Sequence, residues 1–298
     1  MSRQNKRLLI GAGAILVVVL IVIVINRGGS RREALKAFEN LASAETLHAK
    51  SELTIHLPSR QGGRDRPFTD IDIVVDGDVR WEEGKNPEMT GQLALEAKGR
   101  GNIFFADGEA RILQDRVLFN LENLPVFLNP SGSLVKRWTE VAVPLLETRN
   151  GDQVREALAS VVQKLESAGK ETIDGESLRI YTAQLAEEEE QALGEILRQR
   201  NSGNRALHIV YRLLDANIMK ELAVGVDPGS NEIRRIQARF VRPLADGREF
   251  DFATLTLTFS DYGKEVVIDA PRPELAVDAE IFADLFGAEP TADIQISE

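Results

Sequence analysis

The feature that most constrains the fold of this chain is a regular alternation of apolar and polar residues that recurs along most of its length. Leu53-Thr54-Ile55 is one example. Successive side chains of a β-strand point to opposite faces, so this pattern indicates strands that bury one face. The sequence therefore predicts about ten short strands. They lie at residues 47–57, 70–80, 90–98, 102–106, 109–113, 117–121, 178–183, 222–226, 236–240 and 253–259.

Turn-forming residues separate several of these strands. Asp107-Gly108 indicates a hairpin turn, and the Asp-Pro-Gly-Ser sequence at 227–230 indicates another tight turn. The Asp-Tyr-Gly sequence at 261–263 precedes a further predicted strand at Val266–Ile268. Short connections of this kind join antiparallel neighbours. We therefore expect an antiparallel meander.

A few segments show helical spacing instead, with apolar residues three and four positions apart. Residues 207–214 fit either a short helix or a strand. Helices are predicted at 31–44, capped by Ser30, and at 152–168, 187–199 and 276–287.

The segment Leu8–Ile25 contains no charged residue. Its length suits a helix that spans the ~30 Å hydrocarbon core of a membrane. The alternative is a cleaved signal peptide, but its apolar core exceeds the usual ~7–15 residues and no Ala-x-Ala cleavage pattern follows. We expect an uncleaved anchor at residues 8–26, after a tail at 1–7. Flanking basic charges are nearly balanced, and the large domain after the anchor favours an extracytoplasmic position in a single-pass protein of the cell membrane.

Composition excludes several classes of function. The net charge of −11 argues against nucleic acid as a partner, because phosphate binding requires clustered basic residues. The sequence contains no cysteine, so disulfides, thiolate metal sites and cysteine nucleophiles are excluded. The 274–298 segment is expected to be an acidic tail after a folded domain at 31–273.

The chain offers no pattern that indicates catalysis, a metal or a cofactor. His48 and His56 fall on one strand about 26 Å apart, too far to share a metal. The aspartates at 70, 72, 76 and 78 resemble a calcium-binding set, but Asp70 and Asp72 alternate with apolar residues and belong to the solvent face of a strand. Phosphate-binding loops and a G-x-S-x-G nucleophile motif are missing. We therefore expect no enzyme.

The balance between strands and helices points to an excess of apolar sheet surface. About ten strands at ~4.8 Å give a sheet ~50 Å wide, whereas three helices of ~10 Å cover at most ~30 Å. The remaining surface must be closed by curling, by a partner or by an apolar ligand. The predicted fold class is α+β, with an N-terminal transmembrane helix followed by a strongly curved antiparallel sheet (a half-barrel) wrapped around a few amphipathic helices.

The order of elements and four stretches of sequence resemble the LolA-like lipoprotein-carrier superfamily, and within it the mycobacterial LppX/LprG-type lipid carriers. The resemblance implies a half-barrel with an apolar cavity that holds acylated molecules. Those carriers are usually tethered by a lipidated cysteine, which this chain lacks, and the predicted transmembrane helix stands in its place. Because a carrier anchored in this way cannot shuttle freely, the resemblance does not extend to a transport role. The stretches are Leu35–Ile55, Val75–Arg80, Leu134–Val141 and Leu255–Pro273.

Two functions remain open at this stage. One is a membrane-anchored protein that holds a lipid or other acylated ligand between sheet and helices. The other is a membrane-tethered sensor or scaffold that binds an envelope protein without a ligand. Any one of the candidate wall residues is more often a packed core residue, and ligand binding requires only that the set be incompletely filled. The candidates are Leu53, Ile55, Ile73, Val75, Leu93, Leu95, Phe105, Phe119, Phe240, Leu255 and Leu257.

Overall fold

A computed structural model describes residues 33–56, 60–61, 64–65, 69–81, 88–99, 103–113, 116–123, 135–142, 164–184, 218–244 and 247–278. One helix, α1, spans Glu33–Ser43 in this part of the chain. The strands are β1 (Thr46–His56), β2 (Arg60–Gln61), β3 (Arg64–Asp65), β4 (Asp70–Arg80), β5 (Glu88–Lys98), β6 (Ile103–Leu113), β7 (Arg116–Asn123), β8 (Thr139–Ala142), β9 (Glu166–Ile173), β10 (Glu176–Gln184), β11 (Ile218–Val226), β12 (Ile233–Pro243), β13 (Glu249–Ser260) and β14 (Leu275–Asp278).

Twelve of these strands form a single sheet in the order β14-β8-β7-β6-β5-β4-β1-β13-β12-β11-β10-β9. Neighbouring strands are antiparallel except β14 and β8, which run parallel. The short strands β2 and β3 pair separately. Strand β1 lies between β4 and β13, with Leu53 opposite Ile73 on one side and Leu255 on the other. Two strands from opposite ends of the chain are therefore neighbours in the middle of the sheet.

The sheet has an apolar face and a polar face. The apolar face carries Leu47, Leu53 and Ile55 of β1 together with the residues paired with them, and the polar face carries His48 and Glu52. Along β4, buried and half-buried residues alternate over the whole strand. Full burial of a side chain such as Ile71 contributes roughly 1.5–3 kcal/mol. The apolar residues of the alternating pattern thus form the buried face of the sheet, which is the main source of stability of the fold.

Helix α1 packs on the apolar face, against β11 and β12. Its buried stripe consists of Ala34, Ala37, Phe38 and Leu41, at helical spacing. Asn40 Nδ2 also donates a hydrogen bond of 2.9 Å to the backbone oxygen of Asn231, between β11 and β12. The helix is therefore held to one end of the sheet.

The buried residues fall into two clusters. The helix-side cluster joins α1 to the sheet and includes Leu41, Leu47, Leu257 and Phe259. The distal cluster contains no residue of α1. Its members are Ile55, Ile71, Ile73, Leu95, Ala97, Ala106, Phe252 and Ala253.

The predicted fold class, a transmembrane helix followed by a curved half-barrel around a few helices, is wrong. The described residues form one large sheet with a single helix of eleven residues. None of the helical residues described forms a segment long and apolar enough to cross a membrane. Residues 8–26, 187–199 and 207–214 lie outside the described part of the chain, as does most of 152–168. The sheet takes up more of the chain than expected, because several strands reach eleven residues.

Asp107-Gly108 was predicted to be a hairpin turn but lies in the middle of β6. Gly108 is paired with Leu93 on β5 and with Leu121 on β7. A Cβ added at Gly108 would lie 2.3 Å from the backbone oxygen of Asn120. The glycine therefore permits close approach of two strands and does not turn the chain.

Two predicted helices overlap strands. The end of the 152–168 helix falls in β9, which pairs with β10 across a turn where Asp174 and Gly175 both have positive φ. The start of the 276–287 helix falls in β14, which extends the sheet beyond residue 273. The predicted strand Val266–Ile268 has no regular structure. A short apolar run is compatible with the spacing of a helix or with that of a strand. Backbone pairing with a neighbouring strand decides which structure forms.

Candidate hydrophobic ligand site

Ten of the eleven candidate wall residues share the apolar face. The register places Leu95 opposite Ile73, which lies opposite Leu53 and then Leu255 across four adjacent strands. A second row begins at Leu93, opposite Val75, and ends at Leu257. Phe119 lies on the same face near one edge, and Phe240 lies opposite Ala253 on β12. The sequence pattern therefore selected one continuous surface.

The prediction that Phe105 belongs to this wall is wrong. Phe105 lies opposite Glu96 on the polar face, with 49% of its surface exposed. Its neighbour Phe104 occupies the apolar face, opposite Ala97, and packs against the distal cluster. Ile103, Phe104 and Phe105 form an unbroken apolar run, so alternation could not select a face. Ala106 and Ala110 are both buried on the apolar face. Phe104 is two positions before Ala106 and therefore shares that face, which leaves Phe105 on the polar face.

Three of the ten residues remain partly exposed, namely Leu53, Leu93 and Phe240. These same three side chains pack against both the helix-side cluster and the distal cluster. We call them the open band, since they cross the apolar face where the two clusters meet. The other seven residues are buried and serve as core. An apolar surface with incomplete cover is the property that a hydrophobic ligand requires.

Ser51 places a hydroxyl beside the open band. It precedes Leu53 by two positions on β1 and lies between Val75 and Leu257 in the register. Only 2% of its surface is exposed, and its Oγ has no hydrogen-bond partner in the described structure. A buried hydroxyl without a partner costs roughly 1–3 kcal/mol. Thr139, fully buried on β8, has an unpartnered Oγ1 as well.

A positive charge lies near the distal cluster. The guanidinium carbon of Arg242 is 4.3 Å from the centroid of the Phe252 ring, within the range of a cation–π contact. Phe250, which is opposite Arg242 in the register, also packs against the distal cluster. Alternation did not single out Phe250, Phe252 or Arg242, because the register shifts between Phe240 and Val241 and interrupts the period.

The polar face carries His48 and His56, both on β1. His56 Nδ1 lies 2.7 Å from Asp70 Oδ1, and Lys98 Nζ lies 2.9 Å from Asp72 Oδ2. The hydrogen bond with His56 is the largest of the effects that lower the pKa of Asp70. Among the described residues, no group of three or more histidines and carboxylates is arranged to hold a metal ion. These contacts are surface ion pairs between strands.

The described residues define a class: a β-sheet protein in which a helix packs on part of the apolar face of the sheet, with a partly exposed apolar band beside it. Comparison with known proteins adds particular names. The chain is similar to the lipoprotein LppX from Mycobacterium tuberculosis, at 14% identity and a TM-score of 0.37, over 85% of this chain and 99% of the other. It is similar to LprF from Mycobacterium bovis at the same identity and TM-score, over 86% and 97% of the two chains.

A third similar structure is a putative outer membrane lipoprotein-sorting protein domain from Vibrio parahaemolyticus, at 11% identity and a TM-score of 0.23, over 78% of this chain and 93% of that one. LppX belongs to the branch that the sequence resembles. These are loose similarities, so no residue role is transferred from them. No family model and no curated protein sequence matches the chain.

Proposed function

We propose that this chain binds a lipid or another acylated, hydrophobic ligand at the open band. The observation that carries the proposal is the partial exposure of Leu53, Leu93 and Phe240 between two buried clusters. Burial of apolar surface contributes roughly 25 cal/mol per Å², so an alkyl chain laid across these side chains gains affinity in proportion to its length.

The ligand would be held by apolar contact and by shape. No catalytic step is part of the proposal. The domain limits 31–273 and an extracytoplasmic position in the cell envelope accompany it as predictions from the sequence. Cell fractionation and protease protection test the position independently of ligand binding.

Native mass spectrometry of the purified full-length protein, followed by lipid extraction, tests the ligand. We expect a bound lipid at a stoichiometric ratio. Leu53→Trp and Leu93→Trp fill the open band with large side chains and should reduce the bound lipid several-fold, while circular dichroism shows that both variants remain folded. Phe105→Ser on the polar face is the matched control and should retain the lipid. Protein without lipid, or equal lipid in all variants, contradicts the proposal.

A second function is favoured by a separate observation. Ile103 and Phe105 are exposed to 69% and 49% at the start of β6, on the polar face. Exposed large apolar residues of this kind can contact a protein partner in the envelope, as a sensor or scaffold would require. Cross-linking in cells with the double variant Ile103→Ser, Phe105→Ser tests this function. A cross-linked partner that is lost in the double variant supports it, and an unchanged pattern rejects it.

A further inference from the structure

We propose that Ser51 recognises the ester carbonyl of an acylated ligand, and so selects ester-linked chains over plain hydrocarbon or ether-linked chains. This inference rests on the proposed function and specifies the chemical class of its ligand. The hydroxyl would donate a hydrogen bond from Oγ to the carbonyl oxygen. Alkyl chains would lie along the open band on either side of that polar contact.

Ser51 lies among apolar residues of the sheet. Its register neighbours Val75 and Leu257 are each only 1% exposed, and they offer no polar atom in their side chains. A serine at this position leaves a hydroxyl without a partner in the described residues. Alanine would fill almost the same volume without that cost. An unpartnered hydroxyl beside the partly exposed open band therefore points to a polar atom that arrives with a ligand.

The Ser51 hydroxyl also lies next to exposed apolar surface. Leu53 follows Ser51 on the same face of β1, and Leu93 lies opposite Val75 on the far side of β4. Both leucines belong to the open band and are partly exposed. A ligand that displaces these side chains comes within reach of Oγ. A hydrogen bond made in such a water-excluded position is stronger than one made in solvent.

Thr139 provides the matched control. Like Ser51, it carries a buried hydroxyl without a partner in the described residues, on the apolar face. It lies on β8, opposite Phe119 and Leu275, four strands away from β4 in the sheet. Replacement of Thr139 by valine removes a hydroxyl of the same kind far from the open band.

The experiment compares two probes of equal chain length, a diacylglycerol with ester linkages and its dialkyl ether analogue, by competition with a fluorescent fatty acid on the full-length protein. We expect the wild type to prefer the ester by about tenfold, the effect of one hydrogen bond. Ser51→Ala should bind both probes equally and melt at the same temperature as the wild type or higher, since it removes an unpartnered hydroxyl. Thr139→Val should retain the preference for the ester.

The outcomes separate this inference from the proposed function. If the wild type binds ester and ether equally, or if Ser51→Ala keeps the preference, the role of Ser51 is rejected while hydrophobic ligand binding stands. If neither probe binds and no lipid is extracted, both fail. If Thr139→Val loses the preference as Ser51→Ala does, the effect is not specific to the hydroxyl beside the open band, and the inference is rejected.

Discussion

The imidazole of His48 on β1 is held by the carboxylate of Asp78 on β4, with Nδ1 2.8 Å from Oδ1. Its second nitrogen, Nε2, lies 2.7 Å from Asp76 Oδ1. Carboxylate oxygens only accept hydrogen bonds, so both ring nitrogens are protonated in this arrangement. Partial burial acts to lower the pKa of His48, but the hydrogen bond with Asp78 and the charges of both aspartates outweigh it, and the pKa is raised.

This arrangement predicts a pH-dependent contribution to stability. Because the pKa of His48 is higher in the folded state, the contribution is complete below the ordinary imidazole pKa and is lost as the pH rises through the raised value. We expect His48→Gln to lower the melting temperature at about pH 5.5 and to have less effect at about pH 8.5. The side chain is 34% exposed, so screening by solvent limits the effect to about 1 kcal/mol or less.

His56→Gln is the control for that measurement, since within the described part of the chain His56 contacts one carboxylate, that of Asp70. Titration of the His48 ring by NMR measures the pKa directly. A destabilisation by His48→Gln that stays constant over the whole pH range would contradict the protonated geometry.

The two adjacent phenylalanines of β6 should differ sharply in their effect on stability. Phe104 packs against the distal cluster on the apolar face, whereas Phe105 is 49% exposed on the polar face. We expect Phe104→Ala to lower the free energy of unfolding by about 2–3 kcal/mol, less than for a fully buried ring. Phe105→Ala should cost about 0.5 kcal/mol or less. Urea denaturation measures both, and the reverse order would show that the register of β6 is shifted by one residue.

Gly77 should not tolerate a side chain. It is paired with Gly91, and an added Cβ would lie 2.1 Å from the backbone oxygen of Thr90 and 2.6 Å from the Cα of Gly91. Backbone atoms cannot move aside cheaply, so Gly77→Ala should destabilise the fold by roughly 2–3 kcal/mol or prevent folding. At Gly225 the nearest atom is the tip of the Leu178 side chain, at 3.0 Å. Gly225→Ala should therefore melt at a higher temperature than Gly77→Ala, and equal loss would contradict the close approach of β4 and β5.

Tyr262 secures the turn after β13. Its hydroxyl donates a hydrogen bond of 2.6 Å to the backbone oxygen of Ile233, and burial, together with the charge of Glu232, raises its pKa. Tyr262→Phe should cost about 1 kcal/mol in unfolding free energy. In an alkaline titration of the wild type, the phenolate absorbance of this tyrosine should appear only as the protein unfolds. Ionisation of Tyr262 at the ordinary pH for tyrosine would show that the side chain is exposed.

Sequence reasoning succeeded where the alternation is unbroken. In β4, Ile71 and Ile73 alternate with Asp70 and Asp72, and both are buried on the expected face. It failed at Phe105, where three apolar residues in succession remove the period, and at Asp107-Gly108, where a turn-forming pair lies inside a strand. Local sequence does not show which strands will pair with a segment. Pairing with the neighbouring strands determined both the face of Phe105 and the position of Asp107-Gly108 inside β6.

The candidate site was predictable only in part. The alternation at residues 47–57 puts the position of Ser51 on the same face as Leu53, and both lie on the apolar face of β1. The open band could not be read from the sequence, because partial exposure of Leu93 and Phe240 depends on how two clusters meet across the sheet. The unpartnered state of the Ser51 hydroxyl likewise depends on strands β4 and β13, whose positions beside β1 follow from tertiary pairing.

The pairing of β1 with β13 has a consequence for the synthesis of the chain. β4 leaves the ribosome soon after β1, but β13 appears only when translation has reached Glu249–Ser260. Until then, one edge of β1 presents unpaired backbone groups that can recruit other strands. Closure of so long a loop also costs entropy before the contacts form. Completion of the sheet should therefore be a late step, and the nascent chain the form most exposed to aggregation.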